Sequence, residues 1–156
     1  MPAAERTRVR RALAGLPAVA VDSSIRLTDG ESGPVLRRFL ELASDWEAPL
    51  VRVFGGALPA SGRPRQERLR AAARLLESSV PLARRLGVAI GVETHDDFSA
   101  SSVVASLLAM TDPEWVGAVW DSHHPHRVVD LLAVTPPARS PWLLRLRRYR
   151  SGPSAA

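Results

Sequence analysis

Four runs of small and β-branched residues alternate with amphipathic helical patterns along this 156-residue chain, and that order predicts a parallel α/β sheet. Two further observations narrow the reading. Successive runs are separated by stretches long enough for crossover connections. Neither a Gly-x-Gly-x-x-Gly pattern nor a phosphate-loop lysine occurs, so a doubly wound nucleotide-binding sheet has no support. The predicted fold is therefore a partial (β/α)8 TIM-type barrel, with about four parallel strands alternating with helices.

Residues 3–16 carry Val9, Leu13 and Leu16 at helical spacing, and Pro17 ends that helix. In the following PAVAVDSS, Val19 and Val21 alternate with Ala18, Ala20 and Asp22, which predicts the first strand; residues 25–33 read as a loop. Ser32 offers a cap, and Pro34 a first-turn proline, for a helix from Val35 to Trp46 with Leu36, Phe39, Leu40 and Ala43 on its apolar face. Pro49 closes that pattern. Val51 and Val53 then alternate with Leu50, Arg52 and Phe54 in a second strand, stopped by Gly55 and Gly56.

After a Pro/Gly/Arg loop over 57–65, Leu69, Ala72, Leu76, Val80, Ala83 and Leu86 trace a long helix to Gly87, with a kink or break expected near Pro81. In VAIGVETHDDF, residues 88–98, Val88, Ile90 and Val92 occupy one face of a third strand, and Ala89, Gly91, Glu93 and His95 the other. The small Ala89 and Gly91 predict room beneath the Glu93 carboxylate. Ser99 is placed to cap a helix running to Met110, Asp112-Pro113 turns the chain, and Val116 to Trp120 forms a fourth strand leading into Asp121-Ser122-His123-His124.

The net charge of +5 is unevenly distributed: all sixteen acidic residues and sixteen of the twenty-one arginines lie at or before Asp130. Residues 1–130 are thus formally neutral and form the predicted barrel domain. Residues 131–156 form a basic Pro/Arg-rich tail holding Arg139, Arg145, Arg147, Arg148 and Arg150, which reads as a solvated terminus more than a nucleic-acid contact. With no cysteine, the chain has no disulfide, thiolate metal site or Cys nucleophile, which fits a reducing compartment. No segment resembles a signal peptide, and none approaches the roughly 20 apolar residues that span a bilayer. The expectation is a cytoplasmic protein with no membrane partner.

Glu93 and Asp121 end consecutive predicted strands. Parallel neighbours lie about 4.8 Å apart, so two carboxylates at their C-terminal ends can reach one divalent cation. The C-terminal face is also where barrels carry their sites. His95 shares the Glu93 face, and His124 follows Asp121 by three; carboxylates with imidazole suit Mg²⁺, Mn²⁺, Co²⁺ or Zn²⁺ alike. Such residues also have structural uses, since strand-end acids cap helices or pair with arginine. Arg52 lies mid-strand, where burial requires a carboxylate partner, with Glu93 or Asp22 expected to supply it. An edge-strand Arg52 reaching solvent is the alternative. Arg52 joins His95 and His124 as a candidate substrate contact.

The segments VRVFGG, GVAIGVETHDDFSAS and VGAVWDSHHPHR resemble the sugar phosphate isomerase/epimerase family with a xylose-isomerase-like barrel, over roughly residues 5–128. The resemblance implies that Glu93 and Asp121 end the fifth and sixth barrel strands and bind the metal. It further implies that His124 contacts substrate, with His95 a substrate-facing candidate. The family barrel has two more strands before this segment and two after. The later pair supplies a metal-binding histidine and a second glutamate, and neither residue is found beyond Arg127. A truncated or frame-altered gene product, or an unrelated natural tail, would account for that change.

The functional expectation is a metal-dependent sugar or sugar-phosphate isomerase/epimerase-like protein acting through a metal-stabilised ene-diolate, with Glu93 as base. Moving a proton between carbons or faces generally wants two acid/base groups, so weak or absent turnover is expected of this chain. The alternatives are a non-catalytic half-barrel that oligomerises through its sheet edges and a metal-dependent endonuclease-like protein, which the neutral charge of residues 1–130 disfavours.

Overall fold

The strands form one sheet with two unlike faces, one of them packed against the helices. The computed structural model describes residues 3–13 and 15–121. In chain order these form α1 (Ala3–Ala12), β1 (Val21–Arg26), α2 (Ser32–Asp45), β2 (Leu50–Phe54), α3 (Gly62–Leu86), β3 (Ala89–Glu93), a 3₁₀ turn (Asp96–Phe98), α4 (Ser101–Leu108) and β4 (Val116–Val119). The sheet order is β1-β2-β3-β4, and all three pairings are parallel. This is the four-stranded part of a (β/α)8 barrel that the alternation predicts. The basic tail, residues 131–156, and His124 lie outside the described residues.

On one face Ser23, Ile25, Val51, Val53, Ile90, Val92 and Val116 are buried. The apolar ones join Leu36, Leu40 and Ala43 of α2, Ala72, Leu76 and Ala83 of α3, and Val104 and Leu107 of α4 in a single core. Residues of opposite parity form the other face, the inner wall of a barrel: Asp22, Arg52, Phe54, Gly91, Glu93 and Val119. A β-carbon on Gly91 would lie 2.5 Å from Val119 Cγ2 and 3.0 Å from Leu50 Cδ1. The room expected beneath Glu93 is therefore filled by two apolar side chains from the neighbouring strands.

Several element ends differ from expectation, each for a non-local reason. The first strand covers Val21–Arg26 rather than starting near Pro17, because it pairs only where β2 runs alongside, through Val21↔Val51 and Asp22↔Arg52. Val19 is left 54% exposed, while the buried Ser23 hydroxyl donates to the Arg52 carbonyl at 2.6 Å. Ser32 does not cap α2: it lies within the helix and its hydroxyl donates to the Arg26 carbonyl, linking α2 to the end of β1. Ser99 does not cap α4 either. Its hydroxyl donates to the Asp96 carbonyl at 2.7 Å, and the 3₁₀ turn precedes the helix. Around Pro81, α3 continues without a break from Gly62 to Leu86.

The VRVFGG and THDDF segments are locked together by shape. Phe98 is fully buried, and a β-carbon on Gly55 would lie 2.0 Å from its Cδ2 and 2.1 Å from its Cγ, in hard overlap with the ring. Beside it, Asp97 Oδ2 accepts a 2.7 Å hydrogen bond from the Leu58 backbone N–H. These contacts fix the turn after β3 against the end of β2. Gly55→Ala should lower the unfolding free energy by about 2–3 kcal/mol through overpacking. Phe98→Ala should cost about 3–5 kcal/mol. In urea melts the double variant should lose less than the sum of the two, because the aromatic ring is the obstacle to the added methyl.

Candidate active site at the strand ends

Arg52 is the middle residue of β2, which has a strand on each side, so its guanidinium stands above the inner wall and not at an edge. Register pairing sets Arg52 beside Gly91 and Phe54 beside Glu93. With no side chain at Gly91, Arg52 reaches forward to Glu93, its Nε lying 3.0 Å from Oε2. A second carboxylate oxygen, Asp22 Oδ1 on β1, lies 3.3 Å from the same nitrogen, and Nη1 donates to the Ser23 carbonyl at 3.0 Å. The guanidinium also sits 4.2 Å from the Phe54 ring centroid, a cation–π contact. Arg52 thus takes both expected partners, and the solvent-facing alternative is overturned.

The two carboxylates are not equivalent. Arg52 and Glu93 side chains are 17% and 14% exposed, whereas Asp22 is 73% exposed, so water screens the Asp22 contact far more. The Arg52–Glu93 pair lies between the surface regime, worth about 0–1 kcal/mol, and the buried one, where removing a single partner costs about 3–5 kcal/mol.

His95 joins this group through Phe54. Its ring centroid lies 4.6 Å from that of Phe54 at a 49° tilt, and its Nδ1 lies 2.9 Å from Asp96 Oδ1. Asp96 adopts a left-handed φ of 51° and also faces Arg26 Nε of β1 at 3.6 Å. The acidic turn is thereby committed to structure: Asp96 to His95 and Arg26, Asp97 to the Leu58 amide.

Asp121 is reached along β4. Val119 is the register partner of Glu93, and Asp121 stands two residues beyond it. Thr94, fully buried, makes the connection. Its N–H donates to the Val119 carbonyl at 3.0 Å and its Oγ1 accepts from the Asp121 N–H at 2.9 Å. Thr94 is the residue that sequence reasoning missed; the available signal was a hydroxyl on the buried parity of a central strand, which needs a partner.

The donor set at these strand ends suits a divalent cation in kind, since carboxylate oxygens are the ligands that Mg²⁺ and Mn²⁺ prefer. It falls short in number. Among the described residues no group of three His, Asp or Glu side chains is gathered for a metal, and one oxygen of Glu93 already faces Arg52. No helix among the described residues is long and apolar enough to cross a membrane.

No family model matches the chain. No curated protein matches it either. Solved structures do share its fold. A xylose isomerase-like TIM barrel protein from Mycobacterium smegmatis, in complex with magnesium, matches with a TM-score of 0.61 at 16% identity over 76% of this chain and 46% of that one. An L-ribulose 3-epimerase matches with a TM-score of 0.64 at 16% identity, over 80% of this chain and 47% of that one. A D-psicose 3-epimerase, in the presence of D-fructose, matches at 0.66 and 10% identity over 83% of this chain and 52% of that one. The described residues therefore share the fold of part of a TIM barrel, and the chain spans about half the length of the barrels it matches.

The ion pair is open to direct test. Arg52→Met should destabilise the protein by about 2–3 kcal/mol, because Glu93 loses its counter-charge in a half-buried site. In a double-mutant cycle read by urea denaturation, Arg52→Met with Glu93→Gln should recover at least half of that loss.

Proposed function

We propose that this chain is a sugar or sugar-phosphate isomerase/epimerase-like protein with an incomplete set of catalytic groups. The observation that carries the reading is the convergence at one end of the sheet. Glu93 ends β3 with Arg52 against its carboxylate, Arg52 and His95 both lie against Phe54, and the backbone N–H of Asp121 is bonded to Thr94, the residue after Glu93.

In this reading Glu93 and Asp121 would hold a divalent cation, Mn²⁺, Mg²⁺, Co²⁺ or Zn²⁺. Such an ion would supply Lewis-acid polarisation of a sugar carbonyl and its adjacent hydroxyl. Glu93 accepts the proton from the carbon between those groups. Arg52 keeps the carboxylate facing the barrel interior, and Arg52, His95 and His124 donate hydrogen bonds to sugar hydroxyls or a phosphate. Asp22 balances the Arg52 charge from the solvent side. A protein acting on small polar sugars, without cysteine, fits a cytoplasmic location.

Returning the proton to another carbon or face wants a second positioned group, and this reading assigns Glu93 alone to that chemistry. The two halves of the reaction therefore separate. In D₂O with Mn²⁺, the chain should exchange the proton beside the carbonyl of a ketose, followed by NMR. Net epimerisation should run roughly 10²–10⁴-fold below that of an enzyme holding both groups. Glu93→Gln should abolish the exchange. Full epimerase turnover would overturn the incomplete-site reading, and loss of both Mn²⁺ binding and exchange would overturn the isomerase reading.

A non-catalytic half-barrel is the second reading. The observation favouring it is that Arg52 already offers Glu93 a positive partner, the role a metal ion would take. Calorimetric titration with Mn²⁺ separates the two: binding that Asp121→Asn weakens at least tenfold supports the metal site, and an absence of binding supports the non-catalytic role.

A further inference from the structure

We propose that two copies of this chain associate edge to edge into one eight-stranded barrel, β4 of each copy pairing in parallel with β1 of the other. The described sheet runs β1-β2-β3-β4 in chain order with every pairing parallel, and β1 and β4 each have a sheet neighbour on one side. Their outer edges carry backbone donors and acceptors that a further strand would satisfy.

Direction and order decide which edge meets which. A two-fold axis along the barrel makes β4-to-β1 the same contact at both seams, keeps all strands parallel, and closes the ring at two copies. A β4-to-β4 pairing about a perpendicular axis would be antiparallel and would leave both β1 edges bare.

The surfaces agree. Leu50, Phe54 and Val119 on the inner wall are only half-buried, although they are the residues an opposite wall would cover. Trp120, just past β4, is 59% exposed. The pairing rests on the sheet alone and is independent of the proposed isomerase reading.

The free edge can be altered without touching the inner pairing. Ile90 N–H bonds the Trp115 carbonyl and Thr94 N–H bonds the Val119 carbonyl, so residues of odd number on β4 face β3 and the Ala118 N–H faces the open edge. Ala118→Pro removes that edge donor at a position where proline is tolerated. Sedimentation of the full chain at several loadings should show a dimer, and Ala118→Pro should shift it to monomer with an unchanged far-UV circular dichroism spectrum.

A second measurement fixes the geometry. The chain has no cysteine, so Ser24→Cys on β1 and Val119→Cys on β4 are unique labels. A short bismaleimide should join a mixture of the two variants and should not join either variant to itself. A monomer at every loading, self-joining of either variant, or a folded Ala118→Pro that stays dimeric would overturn the proposal. A monomer that binds Mn²⁺ overturns this pairing and leaves the isomerase reading standing; a cross-linked dimer that binds none does the reverse.

Discussion

The Arg52–Glu93 pair is the interaction on which the inner wall depends. A guanidinium in the middle of a central strand cannot reach bulk water as an edge residue can, and its desolvation has to be offset by an opposite charge in good geometry. Three strands supply the environment: Asp22 and the Ser23 carbonyl from β1, Phe54 from β2, and Glu93 from β3. Gly91 matters here for what it lacks, since any side chain at that position would meet Val119 and Leu50. The pair fixes where Glu93 points, and a chemical role for that carboxylate inherits this orientation.

A second constraint works on the loops. Phe98 needs a glycine at position 55, and Asp97 needs the Leu58 amide, so the stretch after β3 and the stretch after β2 define each other. The two segments, separated by a long helix, behave as one rim. Thr94 extends the linkage to β4 by bonding the Asp121 amide from a fully buried position. Each strand end is thus tied to the next by a specific contact beyond the ladder hydrogen bonds.

What the sequence made legible is what depends on period and parity. Val51 and Val53, then Ile90 and Val92, announce strands with a buried apolar face, and the opposite parity correctly sets Arg52 and Glu93 on the same face of the sheet. The helices follow from 3.6-residue spacing in the same way. Features settled by distant partners were not legible. PAVAVDSS has better alternation than VDSSIR, yet β1 is the latter, because pairing with β2 and the bond from Ser23 to the Arg52 carbonyl decide the matter. Ser32 and Ser99 have the local look of helix caps, but the hydroxyl of Ser32, itself inside α2, donates to the Arg26 carbonyl and that of Ser99 to the Asp96 carbonyl. Thr94 showed only that a buried hydroxyl needs a partner; which partner it takes was not legible, because that partner lies at the end of another strand.

Asp96 holds an unusual backbone conformation while its carboxylate faces His95 on one side and Arg26 on the other. A peptide bracketed in this way has little freedom to drift, so the rim it belongs to presents a preset outline to whatever approaches the barrel mouth. Accommodation of differently shaped molecules would then fall to rotamers of exposed side chains. Evolution of a new preference would proceed by exchanging those side chains over an unchanging frame.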